Sequence, residues 1–217
     1  MLNHPSADPN CFFPRHDYCA GEQISCPPQV VFLCASGVVL LSTTLTEGEE
    51  GFLGLVTPGL AFGRPLSQAQ TYAATPLTAV SVHRLNLQEV QKSPAQTLQM
   101  LPYVLRSLRL SQELLVVAGQ RSIEERLDAF LTLLGRQAGQ RTEQGVLLDF
   151  RLTHRQIANA ICATRVSVTR LISRYREQGL LAHSNQRLLL RCCDKFAPTR
   201  PTAWEAKATP GLVSVRC

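Results

Sequence analysis

The sequence predicts an α+β chain: an N-terminal antiparallel β-roll of the cupin-like kind, then a long helix, then a C-terminal winged helix-turn-helix. Three stretches carry this expectation. Residues 23–83 are short extended runs broken by glycine-marked turns, residues 94–118 hold leucines at alternating steps of three and four, and residues 152–190 read as two capped helices with a hairpin behind them. The 217 residues are enough for two small domains with cores of their own. No apolar run approaches the ~20 residues that span a bilayer. The longest, 30–41, is interrupted by Ser36-Gly37, and the opening MLNHPSADPN lacks the basic-then-apolar order of a secretory signal. A cytoplasmic protein without membrane contact is expected.

Residues 1–20 carry Pro5, Pro9 and Pro14 and read as a loosely held arm, with the roll over 21–92. Runs 30–34 and 38–44 flank Ala35-Ser36-Gly37, which signals a hairpin. Thr46-Glu47-Gly48-Glu49 is another turn. Run 52–56 leads into Thr57-Pro58-Gly59, whose Pro-then-Gly order suits a type II turn. Runs 72–74 and 77–83 complete the roll. Pro94 opens the long helix, assigned to 93–119. Its seam is Leu98, Leu101, Leu105, Leu108, Gln112 and Leu115, an a/d pattern suited to pairing with the same helix of a second copy. Gln112 would sit in that seam as a polar register device. Pro102 falls inside the pattern, where it kinks the helix or marks its start.

Gly119-Gln120 reads as a hinge into a DNA-binding domain over 120–196. Ser122 with Glu125 is a capping box for a helix running to about residue 136, with a polar loop over 138–145 and a strand over 146–150. Thr153 with Gln156 is a second box, opening a helix with Ile157, Ala158 and Ile161 inward. Thr164 caps a further helix in which Val168, Leu171, Ile172 and Tyr175 form the inner stripe. Its other face holds Arg165, Val166, Ser167, Thr169, Arg170 and Arg174, with no acid. That is what a major-groove reader requires: arginine forks for guanine, an apolar contact for a thymine methyl, and hydroxyls for phosphate or base edges. Arg165, Val166 and Arg170 are assigned specificity. Arg174, and His154, Arg155 and Gln156 on the preceding helix, are assigned phosphate. Gly179 ends the helix. Runs 180–183 and 187–192 flank Ser184 and Asn185 as the wing, and 197–217 reads as a flexible tail, although Trp204 and Val213 suit docking.

Charge separates the halves. Residues 151–200 hold ten Lys/Arg against two Asp/Glu, and residues 1–100 hold four against seven, so the basic excess belongs to one module and points to a polyanion partner. Catalysis is not expected: no His-x-His or His-x-x-Glu ligand set, phosphate-binding glycine loop or nucleophile–base pair occurs. A nonspecific chromosomal protein is disfavoured by Val166 and its neighbouring hydroxyls, which suit simple phosphate binding poorly. The eight cysteines contain no Cys-x-x-Cys. Cys11, Cys19, Cys26 and Cys34 are spaced too widely, and Cys192 and Cys193 too closely, for chelation, so neither a metal site nor an iron–sulfur cluster is expected. Semi-buried thiols are the plainer reading, with a redox-sensing thiol as the alternative.

The forty residues of LTHRQIANAICATRVSVTRLISRYREQGLL and the wing resemble the DNA-binding region of the Crp/Fnr superfamily of bacterial transcription regulators, and the likeness continues more loosely over most of the chain. TRVSVTRLIS is most similar to the cyanobacterial branch of nitrogen-control and sulfur-nutrition regulators. The resemblance implies a homodimer on a palindromic operator with GTA and TAC half-sites, since Val166 stands where the cyclic-AMP-responsive relatives have Glu. It also implies contact with RNA polymerase if the protein is an activator, and control of sulfur or nitrogen assimilation, with sulfur preferred. It places the effector patch at Phe62, Gly63, Arg64 and Tyr72. There Arg64 replaces the acid that would hold a ribose, Pro65 has no N–H to donate, and no Arg-Ser or Arg-Thr pair follows. These changes argue against cyclic AMP, and the short loop argues against 2-oxoglutarate. A constitutive or redox-responsive binder with a degenerate pocket is the alternative.

Overall fold

The computed structural model describes residues 13–46, 48–184 and 187–191. The tail 197–217, Asn185, most of the arm, and Cys11, Cys192 and Cys193 lie outside them. The roll is two antiparallel sheets. One has the order β1 (Arg15–Tyr18), β7 (Val80–Asn86), β2 (Val30–Ser36), β5 (Ala61–Phe62); the other is β4 (Glu50–Val56), β3 (Val39–Thr44), β6 (Ala73–Pro76). Strand β2 explains why its sequence is apolar without alternation. Val30, Phe32 and Cys34 enter the cluster inside the roll, whereas Val31 and Leu33 join Leu85, Ala61 and Val90 in a second cluster. That second cluster is covered by Met100, Tyr103 and Val104 of helix α2 (Pro94–Ala118). A strand buried on both faces has no solvent side to mark with polar residues.

Several expectations need correction. Runs 30–34 and 38–44 are not hairpin partners: β2 pairs with β7 and β5, and β3 with β4 and β6. Ala35-Ser36-Gly37 is a corner between sheets. Gly37 sits at φ +84°, where an added Cβ would lie 2.2 Å from the Ala79 carbonyl oxygen, and the Val38 N–H donates to Thr78 Oγ1 at 2.9 Å. A local turn signal fixes where a chain reverses but not which distant strand bonds to it. The arm assigned to 1–20 contains β1, which pairs with β7 from Arg15↔His83 to Tyr18↔Val80. Its prolines had argued for a loose segment, yet Pro14 merely precedes the strand, a position where proline is tolerated. The polar stretch 138–145 contains β8 (Gly139–Thr142), hairpin partner of β9 (Gly145–Leu148). Three of its four residues are exposed, so it shows no apolar alternation. The last strand of the roll lies three residues later than the expected 77–83. Helix α1 (Leu87–Lys92), capped by Asn86, follows it without a sequence signal having marked it. The type II turn stands, with Gly59 at φ +89°.

Helix α2 begins at Pro94 with Ser93 as its cap and continues through Pro102, so Pro102 does not mark its start. One side of α2 packs on the roll: Leu110 and Val117 are buried, and Ser107 Oγ donates to the Ala61 carbonyl at 2.8 Å. Beyond it, α3 (Ile123–Ala138) starts at the Ser122–Glu125 capping box. Its Leu127, Phe130, Leu131 and Leu134 pack with α4 (His154–Ala160), α5 (Arg165–Glu177) and the sheet β10 (Leu181–Ser184), β11 (Arg187–Leu190), β9, β8. The core is continuous from the roll to the C-terminal module of α3–α5 and their sheet. Phe52 of β4 meets Phe130 of α3 edge-on, ring centroids 5.9 Å apart.

Candidate nucleic-acid interface

The reader is built by short-range capping. Thr153 Oγ1 accepts from the Gln156 N–H at 3.2 Å, and Gln156 Oε1 accepts from the Thr153 N–H at 2.9 Å, closing the box that opens α4. Thr164 Oγ1 accepts from the Ser167 N–H at 3.1 Å and opens α5. Between the helices Cys162 adopts φ +51°. This turn is held from outside, because Arg126 of α3 donates through Nη1 to the carbonyls of Ile161 and Cys162, each at 2.9 Å. Arg126 escaped the sequence reading because an arginine on a polar helix face looks the same whether it meets water or a turn. Val168, Ile172 and Tyr175 of the predicted stripe are fully buried and Leu171 is half-buried. The Tyr175 hydroxyl donates to Asp128 Oδ1 on α3, and burial raises its pKa.

The outward face of α5 presents Arg165, Val166, Thr169 and Arg170, with Val166 59 % exposed and Ser167 half-buried. Neither Arg165 nor Arg170 forms an ion pair among the described residues. Arg174 differs: it is bonded to Glu124 of α3. His154 joins the same face from α4, its Nδ1 2.9 Å from Thr169 Oγ1. The Thr169 hydroxyl already donates to the Arg165 carbonyl at 2.8 Å, so it accepts from His154. Burial and then the nearby Arg165 and Arg176 hold the His154 pKa below its usual value. The roll also touches this module. Asn159 Nδ2 donates to the Glu50 carbonyl at 2.6 Å, and Arg155 lies 3.8 Å from Glu49.

The α2 seam faces away from its own chain. Leu98, Leu101, Leu105, Leu108 and Leu115 are 41–72 % exposed, and Gln112 is exposed among them. Each of the four residues of the effector patch is already engaged, Gly63 with Tyr72 and the other two with neighbouring residues. Phe62 stacks on Phe32 at 5.2 Å, and the Gly63 N–H donates to the Tyr72 hydroxyl at 3.0 Å. Arg64 donates to the carbonyls of Ala69 at 2.6 Å and Gln70 at 2.9 Å. Burial pushes the Cys26 thiol up to about 11 and the Cys34 thiol to about 12, the opposite of an activated thiolate. No group of three His, Cys, Asp or Glu able to hold a metal occurs among the described residues, and no helix among them is long and apolar enough to cross a membrane.

A Crp-like helix-turn-helix domain matches residues 125–196. The chain is 34 % identical over 172 residues to the regulatory protein CysR of Synechococcus elongatus, covering 78 % of this chain and 80 % of that one. It is 31 % identical over 171 residues to the global nitrogen regulator of the same organism, covering 75 % and 77 %. Among solved structures, a Crp-family transcriptional regulator of Thermus thermophilus superposes with a TM-score of 0.72 at 22 % identity, covering 83 % of this chain and 94 % of that one. FixK2 from Bradyrhizobium japonicum gives 0.68 at 20 % identity, covering 85 % and 95 %. These relatives are transcription regulators and not enzymes. With a Crp-like helix-turn-helix behind a β-roll, and relatives over most of its length, the chain belongs to the Crp/Fnr family of transcription regulators.

Proposed function

We propose that this regulator acts as a homodimer and reads a palindromic operator with GTA and TAC half-sites, one helical turn apart as a twofold dimer requires. The observation that carries the reading is the outward face of α5, where Arg165 and Arg170 flank an exposed Val166 and no acid intervenes. Two arginine forks suit guanine O6 and N7, and the valine suits a thymine methyl. Ser167 supplies a phosphate or base-edge contact, and Thr169 does so by turning its hydroxyl away from the Arg165 carbonyl. Gln156 keeps only its amide nitrogen for phosphate, because its oxygen serves the cap. Arg174 reaches phosphate by leaving Glu124. The row of exposed leucines on α2 supports the dimer, since pairing covers them. The regulated genes are those of nutrient assimilation, sulfur before nitrogen, and RNA polymerase is the further partner if the protein activates.

The effector patch favours a second reading of control. Arg64 and Tyr72 are engaged by the loop and by Gly63, which supports a protein that uses neither cyclic AMP nor 2-oxoglutarate at this patch and binds DNA constitutively. The half-buried Cys26 and the buried Cys34, both with raised thiol pKa values, lend no support to redox control through those two residues. Competition titrations at fixed salt test the proposal: a GTA/TAC palindrome should outcompete random duplex by at least ~10³-fold. Equal competition would contradict it. Adding cyclic AMP or 2-oxoglutarate should leave that ratio unchanged.

A further inference from the structure

The reader domain contains a cavity that DNA recognition does not explain. It lies between α3, residues 150–153, α4 and β11, stands half open to solvent, and measures about 580 Å³, within the roughly 300–1,000 Å³ typical of small-molecule sites. Its floor is apolar: Leu131, Leu134, Leu148, Phe150 and Ile157 line it, and all five are buried. Its mouth is basic. Arg151, Arg155 and Arg165 stand there beside His154, and no acid is among the described residues that line it.

We propose that this cavity binds a small amphipathic anion, with an alkyl or aromatic group on the leucine–phenylalanine floor and a carboxylate or sulfonate head at the arginines. Shape alone would admit any apolar molecule. The charge at the mouth selects the anion, because guanidinium forks bind such heads through paired, charge-assisted hydrogen bonds. The site is separate from the Phe62–Tyr72 patch in the roll, where Gly63 bonds to Tyr72 and Arg64 to the carbonyls of its own loop. Arg165 and His154 belong both to this mouth and to the DNA face, so the anion and a duplex compete for them. That competition rests on the DNA-reading proposal, whereas binding of the anion does not.

The test is a fluorescence titration of the full chain with 1-anilinonaphthalene-8-sulfonate, followed by displacement with decanoate and with 1-decanol. The expected result is saturable binding, displacement by decanoate, and at least about tenfold weaker displacement by decanol, a factor worth ~1.4 kcal/mol. Leu152→Trp, which fills the cavity from its half-buried wall, should weaken the probe by about tenfold or more. Arg151→Glu, an exposed substitution that spares the core, should do the same. No saturable signal would overturn the proposal. So would equal displacement by decanoate and decanol, or wild-type affinity in Arg151→Glu. Saturating duplex should release the probe, and a duplex that binds without releasing it would overturn the shared mouth. Probe binding by a chain that bound no duplex would support the cavity while contradicting the DNA reading.

Discussion

Specificity is placed on Arg165, Val166 and Arg170, and each position is separately testable. Arg170→Ala should cost about 1–3 kcal/mol at one guanine position and relax discrimination there, measured with duplexes substituted base by base. Unchanged discrimination at every base would contradict the assignment. His154 makes a different prediction. Its pKa in the folded chain lies below 6.5, so the unfolded chain takes up the proton first as pH falls. Its contribution to stability is therefore present above about pH 6.5 and is lost as pH falls toward the folded value. Urea midpoints should drop between about pH 7.5 and about pH 5.5, and less so in His154→Asn. Residues of this kind were legible where their chemistry is local. Thr153, Thr164 and Ser122 announced three helix starts because a cap and its partner are three residues apart. Arg126, and the pairing of Arg174 with Glu124, were not legible, because their partners lie 35 and 50 residues away.

At the level of elements, α2 was legible from one end to the other because its two faces obey one period. Its inner face meets the roll and its outer leucines stand exposed. Leu105→Glu combined with Leu108→Glu should leave the fold intact and shift the protein to monomer in sedimentation velocity, with loss of palindrome binding. A dimer that survived both changes would contradict the seam. Except for β1, β5 and β8 the strands were legible, but outside the wing hairpin their pairing was not, since pairing depends on distant partners that a turn does not encode. The β8–β9 hairpin shows the same limit. Its Gly145 sits at φ +141°, where an added Cβ would lie 2.1 Å from the Leu190 carbonyl oxygen of β11. Gly145→Ala should therefore destabilise by about 1–3 kcal/mol in urea unfolding.

Over the whole molecule, roll and reader share one core, and the polar contacts of Glu49 and Glu50 with α4 sit at the same junction. Phe130→Ala should cost about 3–5 kcal/mol, with roll and reader still melting together in calorimetry. Two separated transitions in the wild-type chain would contradict a shared core. The sequence showed the charge partition and the order of parts, but not this junction, because Phe52 and Phe130 belong to amphipathic patterns that each look complete alone. The central claim is that the basic face of α5 reads a specific twofold site. The most direct measurement is selection of bound sequences from a random-duplex library at fixed salt. The account predicts enrichment of a palindrome whose GTA and TAC halves lie one helical turn apart, and its loss with Arg165→Ala and Arg170→Ala. A bound pool with no enriched motif, at an affinity that depends only on salt, would contradict it.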